Sequence, residues 1–192
     1  MRKIVFTLLA LSLSMSTLSL GEIAMAKTDT AVLAGGCFWG MEDLLRKQPG
    51  ITHAEVGYTG GKTEGANYNI VKTGVTGHAE SVRLTFDTEK TSYEKILMYF
   101  FKIHDPTTKD QQGNDVGTQY RSVIFYNSPQ QKEVAESVIA KVNKSGAWTK
   151  PVVTQVVPLG KFYLAEEYHQ DYLVKNPGGY TCHYERSINF NK

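Results

Sequence analysis

A cysteine between two glycines and two aromatic residues is the feature of this sequence that points most directly to chemistry. The chain reads Gly-Gly-Cys-Phe-Trp-Gly over residues 35–40, where a short apolar run gives way to apolar residues at helical spacing. A thiol at the start of a helix is near the positive end of the helix dipole, which favours the thiolate. Because the glycines allow a sharp turn and leave room beside the sulfur, we interpret Cys37 as a reactive thiol rather than a structural half-cystine.

Four polar residues could complete a site around this sulfur. Tyr58, Glu80, Asp115 and Tyr120 lie in two polar segments or at their edges. Phenols and carboxylic acids can donate hydrogen bonds to an oxygen atom and deliver a proton to it. This set suits a substrate whose polarised oxygen must leave as hydroxide or water.

Other kinds of site have weaker support. A cysteine hydrolase needs a histidine base, and the histidines at positions 53, 78, 104, 169 and 183 stand in no local pattern that marks one of them, although any could approach Cys37 in space. Only three residues separate Gly57 from Gly61, whereas a phosphate-binding loop requires four. Metal-ligand spacing is absent from the sequence, so we expect neither a metal nor a cofactor.

Apolar periodicity predicts alternating strands and helices that would position these residues. Two polar loops, over residues 59–78 and 104–119, interrupt the alternation, and long loops in a compact domain are usually functional. Strands are expected over residues 30–34, 51–58, 81–86, 121–127 and 151–157. Helices are expected from Phe38 to the Pro49-Gly50 stop, after a capping box of Thr91 and Glu94, after Ser128-Pro129, and over residues 165–175.

Length and composition indicate one compact globular domain. The 192 residues are 41% hydrophobic and 11% aromatic, which is enough for a packed core. The formal net charge is +2, and lysine and arginine are scattered along the chain. A chain with so little excess positive charge has no electrostatic footprint for nucleic acid, so we expect no nucleic-acid partner.

The first 26 residues have the pattern of a cleaved signal peptide. Arg2 and Lys3 precede an apolar run over residues 4–20, and Ala24-Met25-Ala26 offers small residues to a signal peptidase. A membrane anchor is the alternative, but the hydroxyl residues within the run make it a poor bilayer span. We therefore expect cleavage after Ala26 and an exported domain over residues 27–192, in a bacterium most naturally in the periplasm.

Export leaves two interpretations of the two cysteines. A cysteine pair in an exported protein is most often a structural disulfide, and a bond between Cys37 and Cys182 would close a very long loop. The glycines before Cys37 favour a reactive thiol instead. Two cysteines are in either case too few for a four-thiolate zinc site.

Six blocks of sequence, in order, resemble peptide methionine sulfoxide reductase of the A type (MsrA). They are Gly-Cys-Phe-Trp-Gly at 36–40, Glu42, Gly-Tyr-Thr-Gly-Gly at 57–61, Gly-His-Ala-Glu at 77–80, Gly-Asn-Asp-Val-Gly-Thr-Gln-Tyr-Arg-Ser at 113–122 and Ala-Glu-Glu-Tyr-His-Gln at 165–170. The resemblance covers nearly all of residues 30–185. It implies a single α/β (α+β) domain, a compact two-layer sandwich with a mixed β-sheet.

The resemblance also implies the reaction, which is the reduction of the S epimer of methionine sulfoxide, free or in peptides. Cys37 would be the nucleophile and Glu80 the proton donor. Desolvation would have to raise the pKa of Glu80 for it to act as an acid at neutral pH. We expect oxidised proteins to be the substrates.

The remaining residues that match the family have supporting roles by the same resemblance. Tyr58 and Tyr120 would hydrogen-bond the sulfoxide oxygen. Asp115 would support the polar side of the site. Phe38 and Trp39 would hold the methyl group of the substrate.

Recycling would use the second cysteine. Attack would leave Cys37 as a sulfenic acid, and Cys182, in a glycine-containing tail, would condense with it. Many relatives carry two cysteines in a longer tail, whereas this chain has one, so the resemblance implies a single Cys37–Cys182 disulfide reduced by a thioredoxin-like dithiol protein. We expect a monomer. The alternative from another class is a disulfide-stapled binding module without catalysis.

Overall fold

The computed structural model describes residues 27–190, and the predicted signal peptide lies outside them. The strands are β1 Thr28–Ala34, β2 Ile51–Thr59, β3 Ala79–Asp87, β4 Gln111–Gln112, β5 Asp115–Val116, β6 Val123–Tyr126, β7 Gln155–Pro158 and β8 Tyr163–Leu164. The α-helices are α1 Phe38–Leu45, α2 Tyr68–Val71, α3 Tyr93–Ile103, α4 Pro129–Ser145 and α5 Tyr172–Lys175, and Thr118–Tyr120 forms a 3-10 turn. Among residues 27–190, the helices are all too short or too polar to cross a bilayer.

A mixed sheet forms the centre of the described domain, and the predicted α/β fold is confirmed. The strand order is β7-β6-β1-β3-β2-β8. β6 and β7 run parallel, and the other neighbours run antiparallel. β3 pairs with β1 on one side and with β2 on the other, so it brings residues of both strands next to its own.

Apolar residues on both faces of the sheet explain the layered packing. Ala31 and Leu33 of β1 belong to a large core with the apolar sides of α1, α3 and α4. Val32 and Ala34 belong to a smaller core, closed by partly buried apolar residues from 157 to 162. Since successive strand residues point to opposite faces, the helices cover one face and an irregular segment covers the other.

The start of α4 follows the predicted cap. Ser128 precedes the helix, and its hydroxyl accepts the N–H of Gln131 at 3.2 Å. Pro129 occupies the first helical position, where its missing N–H would have no partner within the helix. Here the local sequence signal and the structure agree, and a distant bond from Nε2 of Gln131 to the carbonyl of Thr30 adds to the cap.

The start of α3 corrects a prediction. The cap is Ser92, whose hydroxyl accepts the N–H of Lys95 at 3.3 Å, and not Thr91 with Glu94. Thr91 belongs to the preceding turn, where its N–H donates to the carbonyl of Asp87 at 3.0 Å. The helix therefore begins one residue later than the capping-box pattern indicated.

The helix predicted over residues 165–175 exists only in its last turn, as α5. The side-chain amide of Gln170 binds the backbone of Val56 in β2, accepting its N–H at 2.9 Å and donating to its carbonyl at 3.0 Å. Asp171 then takes φ 53°, and its N–H donates to the buried carboxylate of Glu42 in α1. These tertiary bonds override the helical pattern and fix residues 165–171 against β2 and α1.

Two edges of the sheet also differ from prediction. The strand expected over residues 151–157 begins only at Gln155, because the N–H groups of Val152 and Val153 donate to Asn143 and Pro106 instead. The short strand β8 was not predicted, and it pairs with the end of β2. Both short strands lie at the margins of the sheet, where pairing depends on tertiary packing.

Both long polar loops contain short elements that hold them in place. α2 lies within the loop over residues 59–78 and is capped by Asn67, whose side chain accepts the N–H of Ile70 at 3.4 Å. The β4–β5 hairpin lies within the loop over residues 104–119, and the 3-10 turn Thr118–Tyr120 lies at its end. Tyr68, Asp115 and Tyr120 are thereby fixed at the ends of small regular elements.

Candidate active site

Cys37 lies where the turn after β1 meets the first residue of α1. It occupies the N-cap position of the helix and is 7% exposed. Gly36 takes φ 111°, and a Cβ there would lie 3.0 Å from Cε1 of His183. The closest atom to such a Cβ would be Cγ of Gln112 at 2.5 Å, so the glycine is required both by the turn and by the close packing of Gln112 and His183 against it.

Glu80 faces the start of the same helix from β3. Its Oε2 accepts the N–H of Phe38 at 3.1 Å, which places the carboxyl group beside Cys37. Glu80 is 3% exposed, and burial raises its pKa to about 8, opposed by the Phe38 N–H and assisted by the negative charge of Asp115. The carboxyl group therefore holds its proton at neutral pH, as an acid catalyst must.

The thiol of Cys37 is also protonated in the resting protein. Burial raises its pKa, and the charge of Glu80 adds to the effect, whereas the N–H of Trp39 at the helix start lowers it. The start of α1 lowers the pKa of Cys37, as the sequence predicts, but the loss of solvent around the sulfur raises it by more.

Two phenols share the electrostatic environment of Cys37 and Glu80. Burial raises the pKa of Tyr120 and of Tyr68, and for both phenols the negative charges that Glu80 and Cys37 carry once ionised raise it further. Both hydroxyls therefore keep their protons and can donate to a substrate oxygen. Tyr120 was predicted, and Tyr68 was missed, although its position inside a long polar loop was the available signal.

Tyr58 is placed differently from the prediction. It is fully buried on β2, and its hydroxyl donates to Oε2 of Glu166 at 2.9 Å. Its ring packs against Phe38, with centroids 5.7 Å apart. Because the single hydroxyl proton of Tyr58 is directed at Glu166, it is not free in this structure to donate to a substrate oxygen, whereas the Tyr68 hydroxyl shares the electrostatic environment of Glu80 and Cys37.

Asp115 and Cys182 approach the site from the hairpin and the tail. Oδ1 of Asp115 accepts the hydroxyl of Tyr180 at 3.0 Å, while its Oδ2 is buried and has no hydrogen-bond partner among the described residues. Burial raises the pKa of Cys182 to about 12. A hydrogen bond to the Asp115 side chain and the negative charge of Asp115 add to the rise, whereas the N–H of Cys37 opposes it. Cys182 therefore lies beside the backbone of Cys37, and both cysteines are free thiols in this structure.

Aromatic rings form the apolar wall next to the sulfur. Trp39 stacks on Tyr172 with centroids 3.7 Å apart and planes 12° apart, and its Nε1–H donates to Nδ1 of His169 at 3.0 Å. Phe38 is buried and packs on His169 at 5.1 Å. The predicted pair Phe38 and Trp39 is thus rigidly held beside Cys37. Within residues 27–190, no group of three or more His, Cys, Asp or Glu side chains is arranged to hold a metal ion.

Comparison with known proteins identifies the family. Residues 29–192 match the sequence family described as peptide methionine sulfoxide reductase. The chain belongs to this family. Peptide methionine sulfoxide reductase MsrA of Nocardia farcinica is 54% identical over 162 residues, covering 84% of this chain and 93% of its own length.

Two solved structures that the chain resembles have the same fold. Reduced Mxr1 from Saccharomyces cerevisiae superposes with a TM-score of 0.79 at 36% identity, covering 89% of this chain and 99% of its own. Methionine sulfoxide reductase A of Corynebacterium diphtheriae gives a TM-score of 0.77 at 34% identity, covering 86% of this chain and 83% of its own. The chain is accordingly an oxidoreductase that reduces methionine sulfoxide with thiols, and neither a binding module nor a hydrolase.

Substitution by phenylalanine distinguishes tyrosines that would donate to the substrate oxygen, Tyr68 and Tyr120, from Tyr58, which bonds to Glu166. We expect Tyr68→Phe and Tyr120→Phe each to slow methionine release by about 10- to 100-fold, because each removes a hydrogen bond to the oxygen on which charge develops. Tyr58→Phe should slow release by less than about threefold and lower the free energy of unfolding by about 1 kcal/mol, since Glu166 loses a partner. Single-turnover methionine release and urea unfolding measure the two effects. An equal loss of rate in Tyr58→Phe and Tyr68→Phe would contradict this assignment.

Proposed function

We propose that the chain reduces the S epimer of methionine sulfoxide, free or in peptides, through a sulfenic acid on Cys37. The observation that carries the proposal is the buried, protonated carboxyl group of Glu80 beside the helix start that bears Cys37. A sulfoxide sulfur becomes electrophilic when its oxygen is protonated or strongly hydrogen-bonded. A thiol and an acid on opposite sides of one substrate meet that requirement.

In the first step, the sulfur of Cys37 attacks the sulfoxide while Glu80 gives its proton to the oxygen. Tyr68 and Tyr120 donate hydrogen bonds to the same oxygen. The oxygen passes to Cys37 as a sulfenic acid, methionine leaves, and the thiol proton of Cys37 replaces the one that Glu80 gave. Cys37 is oxidised by two electrons, and the sulfoxide is reduced by two.

In the second step, the thiol of Cys182 attacks the sulfenic sulfur of Cys37. A disulfide forms and one water molecule leaves. The approach of the tail over Gly36 and the effect of the Cys37 N–H on Cys182 support this assignment. The same bond is therefore a catalytic intermediate rather than a structural staple.

The third step needs an external dithiol, and we assign it to a thioredoxin-like protein. Thiol–disulfide exchange through a mixed disulfide returns both cysteines to thiols and oxidises the partner. Mxr1 from Saccharomyces cerevisiae has been crystallised in a complex with Trx2, which supports a partner of this class. We further propose that one chain acts alone, because its own residues supply both thiols, the acid and both phenols.

Export is part of the proposal. The family match begins at residue 29, shortly after the expected cleavage point at Ala26, and the segment before it has the composition of a leader. The substrates would then be oxidised proteins outside the cytosol, most naturally in the bacterial periplasm.

Counting products and thiols tests the proposed function. Without reductant, the wild type should give one methionine per chain from the S epimer, lose both thiols, and give none from the R epimer. Cys182→Ser should also give one methionine and then stop, even with a thioredoxin-like protein present, because no disulfide forms. Methionine is measured chromatographically, and thiols are counted by mass after alkylation. Repeated turnover of Cys182→Ser with that reductant would remove Cys182 from the cycle.

A further inference from the structure

The histidine that follows Cys182 is buried against its sulfur. Nδ1 of His183 lies 3.4 Å from Sγ of Cys182, and the residue is 6% exposed. Its other nitrogen, Nε2, lies 2.8 Å from the carbonyl oxygen of Gly35. One imidazole thus connects the second thiol to the backbone just before Cys37.

The partner of Nε2 fixes which nitrogen carries the proton. A carbonyl oxygen can only accept, so Nε2 of His183 must be the donor to Gly35. Burial lowers the pKa of His183 to about 4, and the positive charge of Arg186 lowers it further, whereas the carbonyl of Gly35 and the charge of Asp115 oppose these effects. The ring is therefore neutral at physiological pH, and the lone pair of Nδ1 points to the Cys182 thiol.

Other groups face this pair, and one of them is also a proton acceptor. Asp115 also approaches Cys182, and after burial its side-chain hydrogen bond to the thiol and then its negative charge raise the pKa of Cys182. His104 is fully buried and neutral, with its own pKa lowered by burial and by the nearby His183, and its Nε2 is engaged with Ser122 at 2.8 Å. Asp115 is therefore a rival acceptor for the Cys182 proton.

We propose that His183 is the general base of the second step and accepts the Cys182 thiol proton as the disulfide forms; the proposal rests on the resolving role of Cys182. The Cys182 S–H bond breaks toward Nδ1, the new S–S bond to Cys37 forms, and the S–O bond of the sulfenic acid breaks. The departing hydroxide takes up the proton that His183 received, directly or through solvent, and leaves as water, so that His183 returns to its neutral form. The net change is one disulfide and one water.

The pKa values of Cys182 and His183 determine at which point of the step the proton moves. A thiol of pKa about 12 does not ionise in advance to a base of pKa about 4. The proton must transfer while the S–S bond is forming, when the sulfur becomes positive and its proton acidic. A base held by a backbone carbonyl at a fixed distance suits such a concerted transfer.

His183→Gln tests this role, because glutamine can keep the donor to the Gly35 carbonyl while the basic Nδ1 is lost. With the S epimer and no reductant, the variant should still give one methionine per chain, which separates this test from failure of the proposed function. Loss of the second thiol should lag, slowed by about 10²-fold or more at pH 7 relative to the wild type, and the sulfenic acid should be trapped by a cyclic diketone.

The pH dependence separates a lost base from a displaced tail. Without a base, thiol loss in His183→Gln should quicken about tenfold for each unit from pH 6 to 9, because the pKa of Cys182 lies far above this range. The wild type should show no such slope. His183→Asn, which also lacks a base, should show the same slope if His183→Gln does not fold.

Asp115→Asn is the matched variant for the rival acceptor. A lag with the tenfold slope in Asp115→Asn, and none in His183→Gln, would overturn the proposal in favour of Asp115. Thiol loss in His183→Gln within threefold of the wild type, or a lag that does not change with pH, would overturn it as well.

Discussion

Glu80→Gln is expected to slow methionine release by about 10²- to 10⁴-fold, the range that a positioned general acid contributes. Glutamine has nearly the same shape and can still accept the N–H of Phe38, which Glu80 accepts at 3.1 Å, but it has no acidic proton for the sulfoxide oxygen. Substrate affinity should therefore change little. A single-turnover time course at saturating S epimer measures the rate, and equilibrium binding of the sulfoxide serves as the control.

The pH profile adds an independent test of the same acid. In the wild type, release should fall above about pH 8, because the pKa of Glu80 is raised to about 8 and its carboxylate cannot donate. Below that pH the carboxyl group is protonated, so this group causes no loss there. The fall near pH 8 should be absent from Glu80→Gln. A near-normal rate in the variant, or the same alkaline fall, would remove Glu80 from the acid role.

Cys37→Ser is expected to abolish methionine formation, with a loss of about 10⁴-fold or more, as when a covalent nucleophile is removed. A serine hydroxyl is a far weaker nucleophile and cannot take up the oxygen as a sulfenic acid. The free energy of unfolding should change by no more than about 1 kcal/mol, because serine differs from cysteine by one atom in a site that already holds polar groups.

The matched control for Cys37→Ser is Cys182→Ser, which also removes one sulfur from the same site. Each variant is given the S epimer, and methionine is quantified over several hours. Cys182→Ser should yield one equivalent per chain and Cys37→Ser none. Methionine from Cys37→Ser at a rate within tenfold of the wild type would show that another group is the nucleophile.

Features that depend on short stretches of sequence were predicted well. The turn that carries Cys37, the Ser128 cap and the main strands follow from neighbouring residues, since glycine conformation, capping and strand alternation act over a few positions. The proton donor was harder, because Glu80 reaches Cys37 only through the position of β3, and the family resemblance was needed to place it.

Features that depend on where a side chain points could not be predicted from neighbouring residues in the sequence. Tyr58 and Tyr68 both lie near polar sequence, but pairing between β2 and β3 turns Tyr58 into the core, while α2 brings Tyr68 within electrostatic range of Glu80 and Cys37. The helix predicted over residues 165–175 failed because Gln170 bonds to a strand more than a hundred residues earlier. The protonation of Cys37 depends on burial, a property of the folded packing alone.

The closed setting of Cys37 has a consequence for survival under oxidising conditions. Peroxides and alkylating agents attack thiolates, and a protonated sulfur that is 7% exposed offers them little to attack. A sulfoxide, by contrast, brings an oxygen that can engage Glu80 and the two phenols at the moment of attack. If Cys37 is the nucleophile that we propose, it is latent until damaged methionine arrives, and we expect this to protect the enzyme from the oxidants that create its substrate.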